Sequence, residues 1–89
     1  MAKVVTFASR LRDELIQGLK TAGIDATIDI ERVQGTKLHR VFVVADAFAK
    51  LRPAERQVLV WRIADQALSP DERLQISMIF TVTKSELPD

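Results

Sequence analysis

The chain is 89 residues long and 47% hydrophobic, with 13 basic against 12 acidic side chains and a formal charge of +1. A chain of this length is one domain, residues 1–89, that buries only roughly 60% of its unfolded surface, so its core must be compact. It has no cysteine, which excludes a disulfide framework, thiolate metal sites and a cysteine nucleophile. No apolar run approaches the ~20 residues of a membrane span. The opening MAKVVTFASR lacks the long apolar core and small-residue cleavage site of a signal peptide, and the expected location is cytoplasmic.

In chain order, Phe7, Leu11, Leu15 and Leu19 recur every four residues, predicting an amphipathic helix from about Thr6 to Ala22 with Gly23 at its left-handed stop. Ile24, Ala26, Ile28 and Ile30 alternate with Asp25, Thr27, Asp29 and Glu31, a half-buried strand with one wet, acidic face. Glu31 to Thr36, with Gly35, reads as a hairpin loop. Lys37 to Ala45 returns as a strand whose Val41, Phe42, Val43 and Val44 are apolar on both faces, which places it inside a sheet. Ala47 to Leu51 is expected to form a short helical turn.

A long helix begins near Pro53, since proline suits the first helical turn. Leu59, Val60, Ile63, Ala64, Ala67 and Leu68 form its core stripe. Glu55, Arg62, Asp65 and Gln66 form its wet face, with Val58 stranded among them and Trp61 at the stripe's edge. Ser69-Pro70-Asp71-Glu72 is a capping signature, but the period then changes to two. One helical turn at most is expected there, followed by a strand from Leu74 to Thr83. Leu74, Ile76, Met78, Phe80 and Val82 would lie on one side of it. The tail, Lys84 to Asp89, reads as polar and frayed.

Joined by the usual crossover, these elements predict an α/β (α+β) domain of order α-β-β-α-α-β. Its sheet is mixed and three-stranded, with helices on one face. The open face would carry Phe42 and Val44, or Val41 and Val43, together with Ile79, and would be bordered by Asp25, Thr27 and Asp29. Such an apolar strip is a candidate partner or homodimer surface.

Catalytic constellations are missing. His39 is the lone histidine and at most one ligand of a shared metal site; a strand-edge role explains it more simply. Asp25 and Asp29, four apart on a strand, are separated by roughly 13 Å, too far to share a substrate proton. Ser69 has its capping role, and there is no GxGxxG, P-loop or GxxG clamp. A non-enzymatic protein without a cofactor is expected.

The charge is uneven. Residues 32–62 hold seven basic and two acidic side chains, a net +5, whereas residues 63–89 carry a net −3. Arg32, Lys37, Arg40, Lys50, Arg52, Arg56 and Arg62 are therefore candidate phosphate contacts. An ordinary solvated surface accounts for them more simply, because no aromatic residues interleave with them.

The segments VFVVADAF (Val41 to Phe48) and ERQVLV (Glu55 to Val60), and the later ISMIFTVTKSEL, resemble the BolA family over about Arg40 to Leu87. The resemblance implies the BolA-like fold, similar to the second class of KH domains. It also implies protein docking, with a monothiol glutaredoxin as partner, and DNA-associated regulation. Where cluster-binding members place a histidine before the last strand, this chain has Gln75. Its loop ERVQGT carries neither histidine nor cysteine, and Leu38 stands where the family has a histidine beside His39. Glutamine is a poor iron ligand, so no iron–sulfur ligation is expected. The expected function is non-catalytic binding and regulation through Lys50, Arg52, Arg56, Val58, Trp61 and Arg62, with Phe42 on the sheet. The alternative is nucleic-acid binding through the basic segment 32–62.

Overall fold

The computed structural model describes residues 6–87. Residues 1–5, part of the stretch read for a signal peptide, and the last two residues of the tail fall outside it. Thr6 starts the first helix because its hydroxyl accepts the Ser9 N–H at 3.1 Å, satisfying an amide that a first turn leaves without a carbonyl. Helix α1, Phe7–Thr21, fully buries Leu11, Leu15 and Leu19. Gly23 ends it at φ 79°, a left-handed conformation open to glycine because it has no Cβ. The Gly23 and Ile24 N–H groups then reach back to Lys20 O and Leu19 O, both at 2.9 Å.

Strands β1 (Thr27–Arg32), β2 (His39–Val44) and β3 (Ile76–Val82) form one sheet in that order. β1 pairs antiparallel with β2, and β2 pairs parallel with β3. Ile24, expected inside β1, is buried just before it. The valine run is indeed central. Val41 and Val43 are fully buried toward the helices, while Phe42 and Val44 occupy the opposite face half-buried.

The crossover from β2 to β3 passes through a 3-10 turn, Asp46–Lys50, helix α2, Pro53–Ala67, and a single turn α3, Pro70–Arg73. At α3 the Ser69 hydroxyl accepts the Glu72 N–H at 3.2 Å and the Glu72 carboxylate accepts the Ser69 N–H at 3.0 Å, the reciprocal cap that the sequence signals. α2 buries Val60 and Ala64 at the same core as Phe48, Ile28 and Ile79. It meets α1 where Gly18 lies under Ile63, so closely that a Cβ on Gly18 would sit 2.4 Å from Ile63 Cγ2.

Two expectations need correction. β3 does not alternate evenly. His39 pairs with Ile76 but Arg40 pairs with Met78, so one extra residue bulges out and the faces exchange beyond it. Ile76 and Ile79 therefore both enter the core, whereas Met78 and Phe80 are exposed; Ile79 does not belong to the open face. The tail is not frayed at its start. Lys84–Glu86 forms a 3-10 turn that folds back onto the domain.

Candidate functional site

Three sequence signatures meet at one side chain. Arg56, from ERQVLV, lies 6% exposed beneath the start of the tail. Its Nε donates to Phe48 O at 2.9 Å and Leu51 O at 3.1 Å, both in the turn that follows VFVVAD. Its Nη1 donates to Thr81 O at 3.2 Å and Glu86 Oε1 at 2.8 Å, and its Nη2 to Glu86 Oε2 at 3.3 Å. The guanidinium also stands over the Phe48 ring, 5.8 Å from its centre, a cation–π contact. Asp46 completes the tie by accepting the Lys84 N–H at 3.4 Å. Arg56, expected at the surface as a partner contact, is instead buried within the domain. Its fork of donors is consumed in joining the crossover, β3 and the tail.

The carboxyl of Glu86 is held below the usual carboxylate range, first by the hydrogen bond from Arg56, then by the Thr83 N–H, with a smaller contribution from the Arg56 charge and some opposition from burial. A lowered carboxylate pKa stabilises the folded state above the unfolded-state pKa, and that contribution disappears as pH falls through the folded-state value. The stability difference between the natural chain and Glu86→Gln should thus be flat near neutral pH and shrink on acidification. Chemical denaturation at a series of pH values measures it; a difference unaffected by acid would mean that this ion pair contributes nothing.

Trp61 also turns inward. Its Nε1 donates to Gln57 Oε1 at 3.1 Å, and the Arg73 guanidinium covers its ring at 5.0 Å. Gln57 in turn donates to Ile79 O at 2.7 Å. Because Val82 O is taken by the Ala45 N–H at 3.0 Å, the alternate carbonyls of Ile79 and Thr81 point off the outer edge of β3. Gln57 and Arg56 occupy them. The edge strand is thereby blunted against pairing with another chain.

The solvent side of α2 is different. Leu51, Ala54, Glu55, Val58, Leu59 and Arg62 line a shallow groove of about 440 Å³. Val58 is 57% exposed at its centre, while the exposed Lys50 and Arg52 flank Leu51. Of the predicted contacts, Val58 and Arg62 line the groove, and Lys50 and Arg52 are its neighbours through Leu51; Arg56 and Trp61 are not part of it. The spacing 54/55, 58/59, 62 is one continuous strip of α2, and the extended Leu51 just before the helix closes its end. Val58 among polar neighbours is the strip's visible sign in the sequence; Leu59 falls in the core stripe of the helical wheel, and no spacing marks Leu51 or Ala54.

Phe42 lies on the far side of the molecule. The registers set Asp29, Phe42 and Phe80 in one row, Glu31, Arg40 and Met78 in the next, and Thr27, Val44 and Val82 in the third. The Phe42 and Phe80 rings stack, with centres 4.8 Å apart and planes 8° apart. Among the described residues no helix covers this face.

The solved structure of BolA1 from Arabidopsis thaliana matches this arrangement with a TM-score of 0.69 at 24% identity, covering 96% of this chain and 100% of that one. This chain has the BolA-like fold. No protein-family model matches it, and no curated protein does.

Within the BolA-like fold, Gln75 O accepts the His39 N–H at 2.7 Å, and His39 Nδ1 stands 3.4 Å from the same oxygen. The His39 ring lies 5.1 Å from that of Phe7. Among the described residues no group of three His, Cys, Asp or Glu side chains is placed to hold a metal ion. No described helix is long and apolar enough to cross a membrane. The seven basic residues of segment 32–62 do not form one track in the BolA-like fold. Arg32 and Lys37 sit at the hairpin end of β2, about 20 Å from Lys50 and Arg52 at its other end by the rise of a six-residue strand. Arg40 faces the open side beside Glu31, at 3.6 Å, and Arg56 is buried.

Proposed function

We propose that this BolA-like chain is a non-catalytic binding and regulatory protein of the cytoplasm that docks a folded protein in the groove along α2. The observation that carries this is the exposed Val58 at the centre of an apolar groove lined by Arg62, with the exposed Arg52 next in the chain to its wall residue Leu51. A solvated aliphatic residue between aliphatic walls is a ready anchor, and the surrounding cations steer an acidic partner. The monothiol glutaredoxin suggested by the resemblance is the first partner to test. Gln75 and the isolated His39 support docking without iron–sulfur ligation by this chain.

Val58→Asp should reduce capture of the glutaredoxin by about tenfold or more, the usual effect of removing an interface anchor, while leaving the fold unchanged by circular dichroism. The captured complex should be colourless. Binding should weaken modestly as salt rises, in contrast with the steep, log-linear loss of a phosphate-tracking protein. Equal capture by Val58→Asp and by the natural chain would remove the groove from the interface.

A further inference from the structure

We infer that the α2 groove also accepts the open sheet face of a second copy of this chain, so that molecules associate head to tail; this rests on the reading of the groove as a protein-docking site. The two surfaces lie on opposite sides of the fold. α2 covers one face of the sheet and turns Val58 away from it, while Met78 and Phe80 emerge from the other face. Both surfaces are apolar at the centre, with Val58 57%, Met78 45% and Phe80 36% exposed.

Their rims carry opposite charge. Arg62 lines the groove, the exposed Arg52 and Lys50 flank its wall residue Leu51 in the chain, and the groove's own acid, Glu55, spends an oxygen on the Arg52 N–H at 3.0 Å. On the sheet, Asp29 shares a row with Phe42 and Phe80, and Glu31 follows in the next row with Arg40 and Met78. Joining groove to groove would press Arg52 and Arg62 against their own copies. Joining sheet to sheet would leave the acidic margin of β1 without a free cation. Joining groove to sheet sets Arg52 and Arg62 against Asp29, while Glu31 keeps its own partner Arg40 at 3.6 Å. Strand addition at the β3 edge is no substitute, since Gln57 and Arg56 occupy its outward carbonyls Ile79 O and Thr81 O. A contact between two different surfaces leaves one of each free on a dimer, so the assembly grows past two copies into an open chain or a ring.

Sedimentation velocity over a concentration series tests this on the full chain. The natural chain should gain mass with concentration, pass the dimer without a plateau, and dissociate as salt rises. Val58→Asp and Met78→Asp should each stay monomeric. Their equimolar mixture should form a 1:1 dimer and stop there, because each variant retains one of the two surfaces. Arg62→Glu and Asp29→Lys, both exposed, repeat the test by charge: each alone should weaken association about tenfold, and both in one chain should restore it. A natural chain that is monomeric throughout, a variant mixture that stays monomeric, or a Val58→Asp chain that still self-associates would overturn the inference. If the natural chain is monomeric while Val58→Asp still loses the glutaredoxin, head-to-tail association fails and the docking reading stands.

Discussion

Replacing Arg56 by alanine is expected to lower the stability of the domain by about 3 kcal/mol, because it strips partners from several carbonyls at once. Phe48 O and Thr81 O accept from Arg56 at buried positions, and Leu51 O at a partly buried one. Each buried acceptor left without a donor costs about 1–3 kcal/mol. Small domains have only about 5–15 kcal/mol in total. For a chain of this size the loss corresponds to a fall of about 12–24 °C in Tm. Arg56→Lys should recover less than half, since an ammonium on a flexible stem cannot reproduce a planar fork spread over four groups. Equilibrium urea unfolding decides the matter. An Arg56→Ala midpoint equal to that of the natural chain would mean that the carbonyls find other partners and that the tie is ornamental. The prediction reverses the reading of Arg56 as a surface contact, under which the same substitution would spare the fold and weaken partner capture.

The second large effect is expected at the α1–α2 contact. Gly18→Ala would place a methyl group 2.4 Å from Ile63 Cγ2, and a β-branched neighbour has little freedom to swing aside. Alanine gains about 1 kcal/mol over glycine in helix propensity, but overpacking typically costs about 1–3 kcal/mol. A net loss of about 1–2 kcal/mol should follow, and Gly18→Val should lose more because it adds bulk and gives up helix propensity. Trimming the neighbour should reveal the cause: Gly18→Ala combined with Ile63→Ala should be more stable than the sum of the two single changes predicts. Strict additivity in urea unfolding would show that the helices separate freely and that the close approach carries no cost.

Much of the architecture was legible in the sequence because local periodicity encodes which face is buried. The four-residue row from Phe7 to Leu19, the alternation from Ile24 to Ile30 and the valine run each produced the element expected. The Ser69 cap produced a single turn. The candidate site was less legible. Val58 was visible as an aliphatic residue on a wet face, and Lys50, Arg52 and Arg62 as cations near it. Nothing in the spacing, however, said that Leu51 and Leu59 would wall a groove beside Val58. Nor did it show that Arg56 would turn toward β3 and Trp61 lie under Arg73.

What the chain determined by itself was the order of its elements, the parallel crossover and the central place of β2, since these follow from hydrophobic period, caps and chain connectivity. Tertiary structure decided the rest. The bulge that sends both Ile76 and Ile79 inward exists because β3 must match the register of β2. The burial of Arg56 exists because carbonyls from Phe48, Leu51 and Thr81, up to 33 residues apart in the chain, converge on one guanidinium alongside Glu86. A helical wheel can say that Arg56 is charged; only the packed neighbours supply the acceptors that make burying that charge favourable.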